Sequence, residues 1–444
     1  MSQRLNMSNL TKILLCLAII GVAWGNPTPK KKGYGPGDQD WGWIKVRTGA
    51  NMFYWLFYTT ADVKSYYERP LVIWLQGGPG GSSTGYGNFA EVGPLHVNGT
   101  VRQHGWAKHV NLLFIDNPVG TGFSYVENKS YLTKDNIQIG KDMMVFLSEF
   151  YAKYPDFKKC PMYFFAESYG GKMAIEMAKQ LDERVKAGKL DINFKGVSLI
   201  DAWIDPMDSV RGWVPLLMVT GLVDFRAAKR LSDTVMKIQS TIDKNQWVQA
   251  TNMWRDLEMD ILRETNGVDF YNILYKTGRV FLQESNLEKN IPDLYFDEMT
   301  EITKLMNGPV RNALKIPNNV IFGAQSSDVF SALSGDFMKP VTDVVEHVLN
   351  KTNIEVVIMT GELDLIVDTI GTLVWADKLK WKGSSAWLSS KRTPIVLQSI
   401  IEGYVTKVNT LSLYWINRSG HMVPKDNPEA SLEVLKRVTR FDKK

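Results

Sequence analysis

The chain has 444 residues, 44% hydrophobic and 22% charged, with a formal charge of +5 and two cysteines. That balance excludes low-complexity disorder and collagen, and two cysteines cannot build a disulfide framework. No basic block offers a nucleic-acid face, and the length fits two or three domains or one large α/β domain carrying an insertion.

In chain order, residues 1–25 read as a secretory signal peptide. Arg4 and Lys12 give the positive flank, Ile13–Ala23 is an apolar run, and Ala23-Trp24-Gly25 puts small residues at cleavage spacing. Eleven residues in that run cover about half of the ~20 that a spanning helix needs. Its removal takes away two basic side chains and Cys16, leaving a charge of +3 and the single thiol Cys160, expected to be buried and structural. The expected location is secreted or lysosomal, with no membrane association after signal removal. In that setting the sequons at Asn98, Asn128 and Asn350 are expected to carry glycan. A fourth, at Asn417, is set aside because it neighbours a candidate catalytic residue.

Residues 43–59 alternate as a hairpin about Gly49-Ala50-Asn51. Short apolar, β-rich runs follow at Leu71–Leu75, Leu112–Ile115, Met162–Ala166, Val197–Ile200, Val356–Met359 and Leu413–Ile416. Most are separated by helical stretches. Asn136–Tyr151 puts Ile139, Met143, Phe146, Leu147 and Phe150 on one face, and Gly171–Leu181 repeats Met173, Met177 and Leu181. Such alternation predicts an α/β fold with a mainly parallel sheet covered on both faces. From about 203 to 340 the helical period dominates, which predicts a helical cap inserted into the core. The expected division is 26–202 for the first part of the core, 203–340 for the cap and 341–444 for the second part.

The sharpest local feature is Ala166-Glu167-Ser168-Tyr169-Gly170-Gly171, where a strand ends and a helix begins at once. That context fits a nucleophile elbow, with Ser168 held above the sheet; a helix-capping serine is the alternative. A serine nucleophile needs a base and an orienting acid. His421 follows the strand Leu413–Ile416, whereas His347 falls on a helix-like stretch and His96, His104 and His109 lie in a loop-rich region. Asp364 and Asp368 follow the strand Val356–Met359. The order Ser168, Asp364, His421 is that of α/β-hydrolases, each beyond the C-terminal end of a strand.

Gln76-Gly77-Gly78-Pro79-Gly80-Gly81 follows another strand, and its glycines let backbone N–H groups approach an oxyanion. A phosphate loop would end in Gly-Lys-Ser/Thr, which is missing. Gly85–Ala90 matches a dinucleotide fingerprint only formally, since no strand abuts it. No histidine pair has metal-binding spacing, so neither metal nor cofactor is expected.

Four motifs together resemble the serine carboxypeptidase family, and within it the retinoid-inducible type. They are Trp74–Gly80, Asp116–Tyr125, Glu167–Gly171 and Gly420–Pro424, and they span the mature chain. The resemblance implies a carboxypeptidase removing C-terminal amino acids from peptides through an acyl-enzyme, at acidic pH. It implies Ser168, Asp364 and His421 as the triad and the N–H groups of Gly78 and Tyr169 as the oxyanion hole. It assigns the substrate's terminal carboxylate to Gln76, Gly77, Glu91 and Glu167. Gln76 stands where the family usually has Asn, and Gly81 where it has Cys. Met422 lines the leaving-residue pocket by this resemblance, or simply packs. Asp116–Tyr125 reads as a shaped wall, more scaffold than catalyst. The implied partner is a peptide with a free C-terminus; monomer and homodimer are both left open. The competing readings are an esterase or acyltransferase, which has no need of Glu91 and Glu167, and a non-catalytic binding partner.

Overall fold

The computed structural model describes residues 31–277 and 294–442; the signal peptide expected over 1–25 lies outside them. The strands are β1 (Gln39–Arg47), β2 (Ala50–Phe57), β3 (Leu71–Leu75), β4 (Asn111–Ile115), β5 (Tyr125–Val126), β6 (Met162–Glu167) and β7 (Phe194–Ile200), followed by β8 (Glu355–Gly361), β9 (Thr393–Leu397), β10 (Ile400–Val408) and β11 (Leu411–Ile416). They form one sheet in the order β1-β2-β4-β3-β6-β7-β8-β11-β10-β9, with β5 on β2. The centre, from β4 through β3, β6, β7 and β8 to β11, is parallel, and the ends are antiparallel hairpins.

A strand buried on both faces reads as a continuous apolar run, and the Leu-Val-Ile-Trp-Leu of β3 is buried throughout. Alternate residues serve opposite faces. Leu71, Ile73 and Leu75 enter one apolar cluster together with Phe164 and Ala166 of β6. Val72 and Trp74 enter the other with Phe165. The first face is covered by α1 (Asn136–Lys153), α2 (Tyr169–Lys186) and the helix Thr342–Lys351, and the second by the π-helix Ser83–Val92 and the helix Pro428–Thr439.

Between β7 and β8 the described residues are mainly helical. The chain runs through α3 (Pro206–Val219), α4 (Phe225–Ile242), α5 (Trp247–Thr265) and α6 (Leu294–Leu305) and shorter turns to α7 (Thr342–Lys351). Beyond β8 come α8 (Thr369–Lys378) and, after β11, α9 (Pro428–Thr439). The hairpin of β9 and β10 has no counterpart in the sequence reading. Its turn residues Gln398 and Ser399 both have positive φ, at 48° and 68°, without the Asn or Gly that usually announces such a turn.

Candidate active site

Parallel strands converge their C-terminal ends on one edge of the sheet, and Gln76, Ser168, Asp364 and His421 issue from that edge after β3, β6, β8 and β11. Ser168 stands between β6 and α2 with φ 59° and ψ −129°, a conformation non-glycine residues rarely adopt. The surroundings hold it there. Its N–H donates to Ile200 O at 2.9 Å, and its carbonyl accepts from Trp203 N and Gly171 N, both at 3.0 Å. Gly77 passes so close that a Cβ there would lie 2.5 Å from Ser168 Cβ and 2.8 Å from Glu167 O. Only glycine fits, which ties the glycine loop after β3 to the elbow after β6.

His421 Nδ1 lies 2.7 Å from Asp364 Oδ2, with both side chains buried. Asp364 Oδ1 also accepts from Val367 N at 3.1 Å. Burial lowers the imidazole below its ordinary value, and the buried carboxyls of Asp201 and Glu91 pull the other way. A base lowered in this way stays unprotonated further into acid. Ser168 and His421 line the same cavity of about 240 Å³. No hydrogen bond joins Ser168 to His421 among the described residues; in hydrolytic sites that contact often tightens only around bound substrate. Asp368, the alternative acid, instead caps α8 by accepting from Gly371 N at 2.8 Å.

The second cluster is acidic. Gln76 Nε2 donates to Glu167 Oε1 at 2.7 Å, and Gln76 Oε1 accepts from Trp74 Nε1 at 2.8 Å. Gln76, Gly77 and Glu167 line the cavity. Glu91 does not, among the described residues; it is 1% exposed and meets Glu167 and Gln76 from within the fold. Burial pushes Glu91 up to about 7 and Glu167 well above the usual carboxylate range, with Glu91 adding to the latter. Both Glu91 oxygens and Glu167 Oε2 find no donor. Two buried carboxylates have no proton to share, whereas one proton between them supplies the missing hydrogen bond.

Gly78 lines the cavity beside Ser168, and Tyr169 opens α2 with its hydroxyl donating to Asp336 Oδ2 at 2.7 Å. Asp336 also receives the ammonium of the fully buried Lys172 at 3.1 Å. Asp116 is scaffold: one oxygen accepts from Ser82 Oγ and Thr84 N, the other from Thr84 Oγ1 and Phe123 N. Met422 both lines the cavity and packs in the second cluster. Cys160 is buried, its thiol donating to Tyr67 O at 3.2 Å and pushed up to about 12 by burial. His347 lies on the helix Thr342–Lys351, away from the strand ends that carry Ser168, Asp364 and His421.

Three features escaped the sequence reading. Asp201, at the end of β7, has φ 38° and accepts from Gly361 N at 2.9 Å. It is buried beside Asp364, and burial pushes both carboxyls up. Glu258 of α5 reaches the cavity. Residues 269–273 tie the site together: His421 N donates to Tyr271 O at 2.7 Å, Leu365 N to Phe270 O at 3.0 Å and Ile273 N to Leu363 O at 3.0 Å.

Comparison with known proteins places these motifs in context. The serine carboxypeptidase family model matches residues 29–440. The mouse retinoid-inducible serine carboxypeptidase is 40% identical, with 99% of each chain covered. Serine carboxypeptidase-like 51 of Arabidopsis thaliana is 35% identical over 96% of this chain and 97% of its own. Among solved structures, Kex1(delta)p, a prohormone-processing carboxypeptidase from Saccharomyces cerevisiae, superposes with a TM-score of 0.79 at 24% identity, over 93% of this chain and 95% of that one. That likeness establishes the α/β-hydrolase fold.

Proposed function

The chain belongs to the serine carboxypeptidase family, and on that premise we propose that Ser168, Asp364 and His421 carry the hydrolysis of C-terminal peptide bonds. The observation that carries this reading is the 2.7 Å His421–Asp364 pair sharing one cavity with the strained Ser168. His421 Nε2 takes the Ser168 proton as Oγ attacks the last peptide carbonyl. Asp364 holds Nδ1–H and stabilises the imidazolium that forms. The N–H groups of Gly78 and Tyr169 receive the oxyanion, and α2 adds the positive end of its dipole. The terminal amino acid leaves with the proton from His421, and water repeats the sequence on the acyl-enzyme.

Gln76, Gly77 and Glu167 hold the substrate's terminal carboxylate, and Glu91 shares a proton with Glu167 from behind. A carboxylate accepts hydrogen bonds from protonated acids and repels ionised ones, so binding favours acidic pH. An esterase has no use for such an acid pair, which favours the peptidase. Residues 203–340 serve as the cap over this site, and all the proposed residues come from one chain, so a homodimer is not needed to complete it. The N-terminal signal and exposed Asn98, Asn128 and Asn350 fit a secreted or lysosomal glycoprotein; among the described residues no helix is long and apolar enough to cross a membrane.

The test is covalent. A fluorophosphonate adduct mapped to Ser168, with release of a free C-terminal amino acid from a blocked dipeptide, is expected. Ser168→Ala should lose both, with kcat down about 10⁶-fold. Labelling elsewhere, or full turnover by the alanine variant, would defeat the assignment.

A further inference from the structure

The cavity beside Ser168 has two unlike halves, one on each face of the sheet. Tyr86, Ala324 and Met422 belong to the cluster that holds Trp74, whose indole donates to Gln76. Trp203, Trp254 and Phe337 belong to the cluster on the opposite face. The carboxylate anchor thus stands to one side of Ser168 and an aromatic wall to the other. A peptide held by its terminal carboxylate on the first side lays its penultimate side chain against the second.

That wall is a nest of rings. Trp254 lies 4.6 Å from Phe337 and 6.4 Å from Phe330 between centroids, and Trp203 lies 5.2 Å from Phe337. One turn after Trp254 on α5, and so on the same helix face, Glu258 enters the cavity. Glu258 makes no hydrogen bond or ion pair among the described residues. Burial pushes its carboxyl up to about 8, against a weaker pull from Arg255. Arg255 itself is exposed, with its guanidinium over Phe330 at 5.4 Å. The Trp254 indole N–H is likewise buried without an acceptor. An acid set among ring faces with no ion-pair partner among the described residues is complementary to a cation, which ring faces also attract.

We infer that Glu258, with Trp254 and Phe337, forms a cation-accepting subsite that selects peptides with lysine or arginine as the penultimate residue. A penultimate ammonium or guanidinium draws the Glu258 carboxyl back into its ionised form, pairs with it and lies over the rings, whereas an apolar side chain meets the rings and leaves the acid protonated. The inference rests on Ser168 as nucleophile and on the carboxylate anchor proposed above.

The experiment compares N-blocked dipeptides that share a C-terminal leucine and carry lysine or norleucine before it. The wild-type ratio of kcat/KM, lysine over norleucine, is expected at about 10 to 100, the range of one charge-assisted contact. Glu258→Gln should bring the ratio close to one, Glu258→Asp should keep part of it, and Glu258→Lys should favour a penultimate glutamate. A wild-type ratio at or below one overturns the inference, as does a ratio that both Glu258→Gln and Glu258→Lys leave unchanged. Leucine release without lysine preference overturns this subsite alone. No release from either peptide overturns the nucleophile and anchor assignments, and the subsite with them.

Discussion

Replacing Glu91 by glutamine should remove the alkaline fall of activity. Glu91 is 1% exposed and its carboxyl is pushed up to about 7 from 4.5 by burial. A displacement of that size corresponds to about 3 kcal/mol of preference for the protonated form, a quantity that belongs to the Glu91–Glu167 pair rather than to one residue. At pH 5 Glu91 keeps its proton; one unit above about 7, at pH 8, only about a tenth of the molecules keep it there. The sign follows from a raised value: the favourable state is full below 4.5 and is lost as pH rises through about 7. Wild-type kcat/KM on a blocked dipeptide should therefore drop about tenfold between pH 5 and pH 8, mostly through KM. In Glu91→Gln the amide cannot ionise, and that limb should flatten. A blocked amino-acid alkyl ester, which lacks the leaving-group carboxylate, should not show the limb in either protein. Steady-state kinetics across that range decides. Higher wild-type kcat/KM at pH 8 than at pH 5, or an unchanged limb in Glu91→Gln, would refute the reasoning.

Gly77→Ala places a Cβ 2.5 Å from Ser168 Cβ, so the variant should fold but lose fluorophosphonate labelling at least 100-fold; circular dichroism and labelling rate check the two halves. Lys172→Met leaves Asp336 buried without its cation and should cost about 3–5 kcal/mol of stability, read from urea unfolding. Peptide mapping after glycosidase treatment should find glycan at Asn98, Asn128 and Asn350, all exposed. It should find none at Asn417, which is half-buried.

What the sequence made legible was local. Ser168, Asp364 and His421 each follow an apolar strand by a few residues, so three short readings sufficed to suggest a triad. Glu258 was harder because a helix hides its cavity-facing residues among charged neighbours. The pattern of Trp254, Leu257 and Ile261 does mark a buried face, and a glutamate beside it on that face was the available signal. Asp201 was also within reach, as an acid ending an apolar strand between two strands already implicated. Its role depends on lateral proximity to Asp364, which strand order alone reveals. The β9–β10 hairpin stayed hidden because Gln398 and Ser399 turn the chain without turn-specific residues.

The clasp formed by residues 269–273 changes how the helical insertion is understood. Those residues end the run of α3, α4 and α5, yet their backbone pins both the acid loop at Leu363–Leu365 and the base at His421. Near Tyr271 there is also no slack: a Cβ on Gly420 would lie 2.0 Å from its carbonyl oxygen. The insertion is thus not an accessory that recombination could exchange freely for another. Its outer helices can drift in sequence to suit new peptides, but the strap at its middle must return to the same place in every descendant. Specificity and catalytic alignment are inherited on one continuous stretch of backbone.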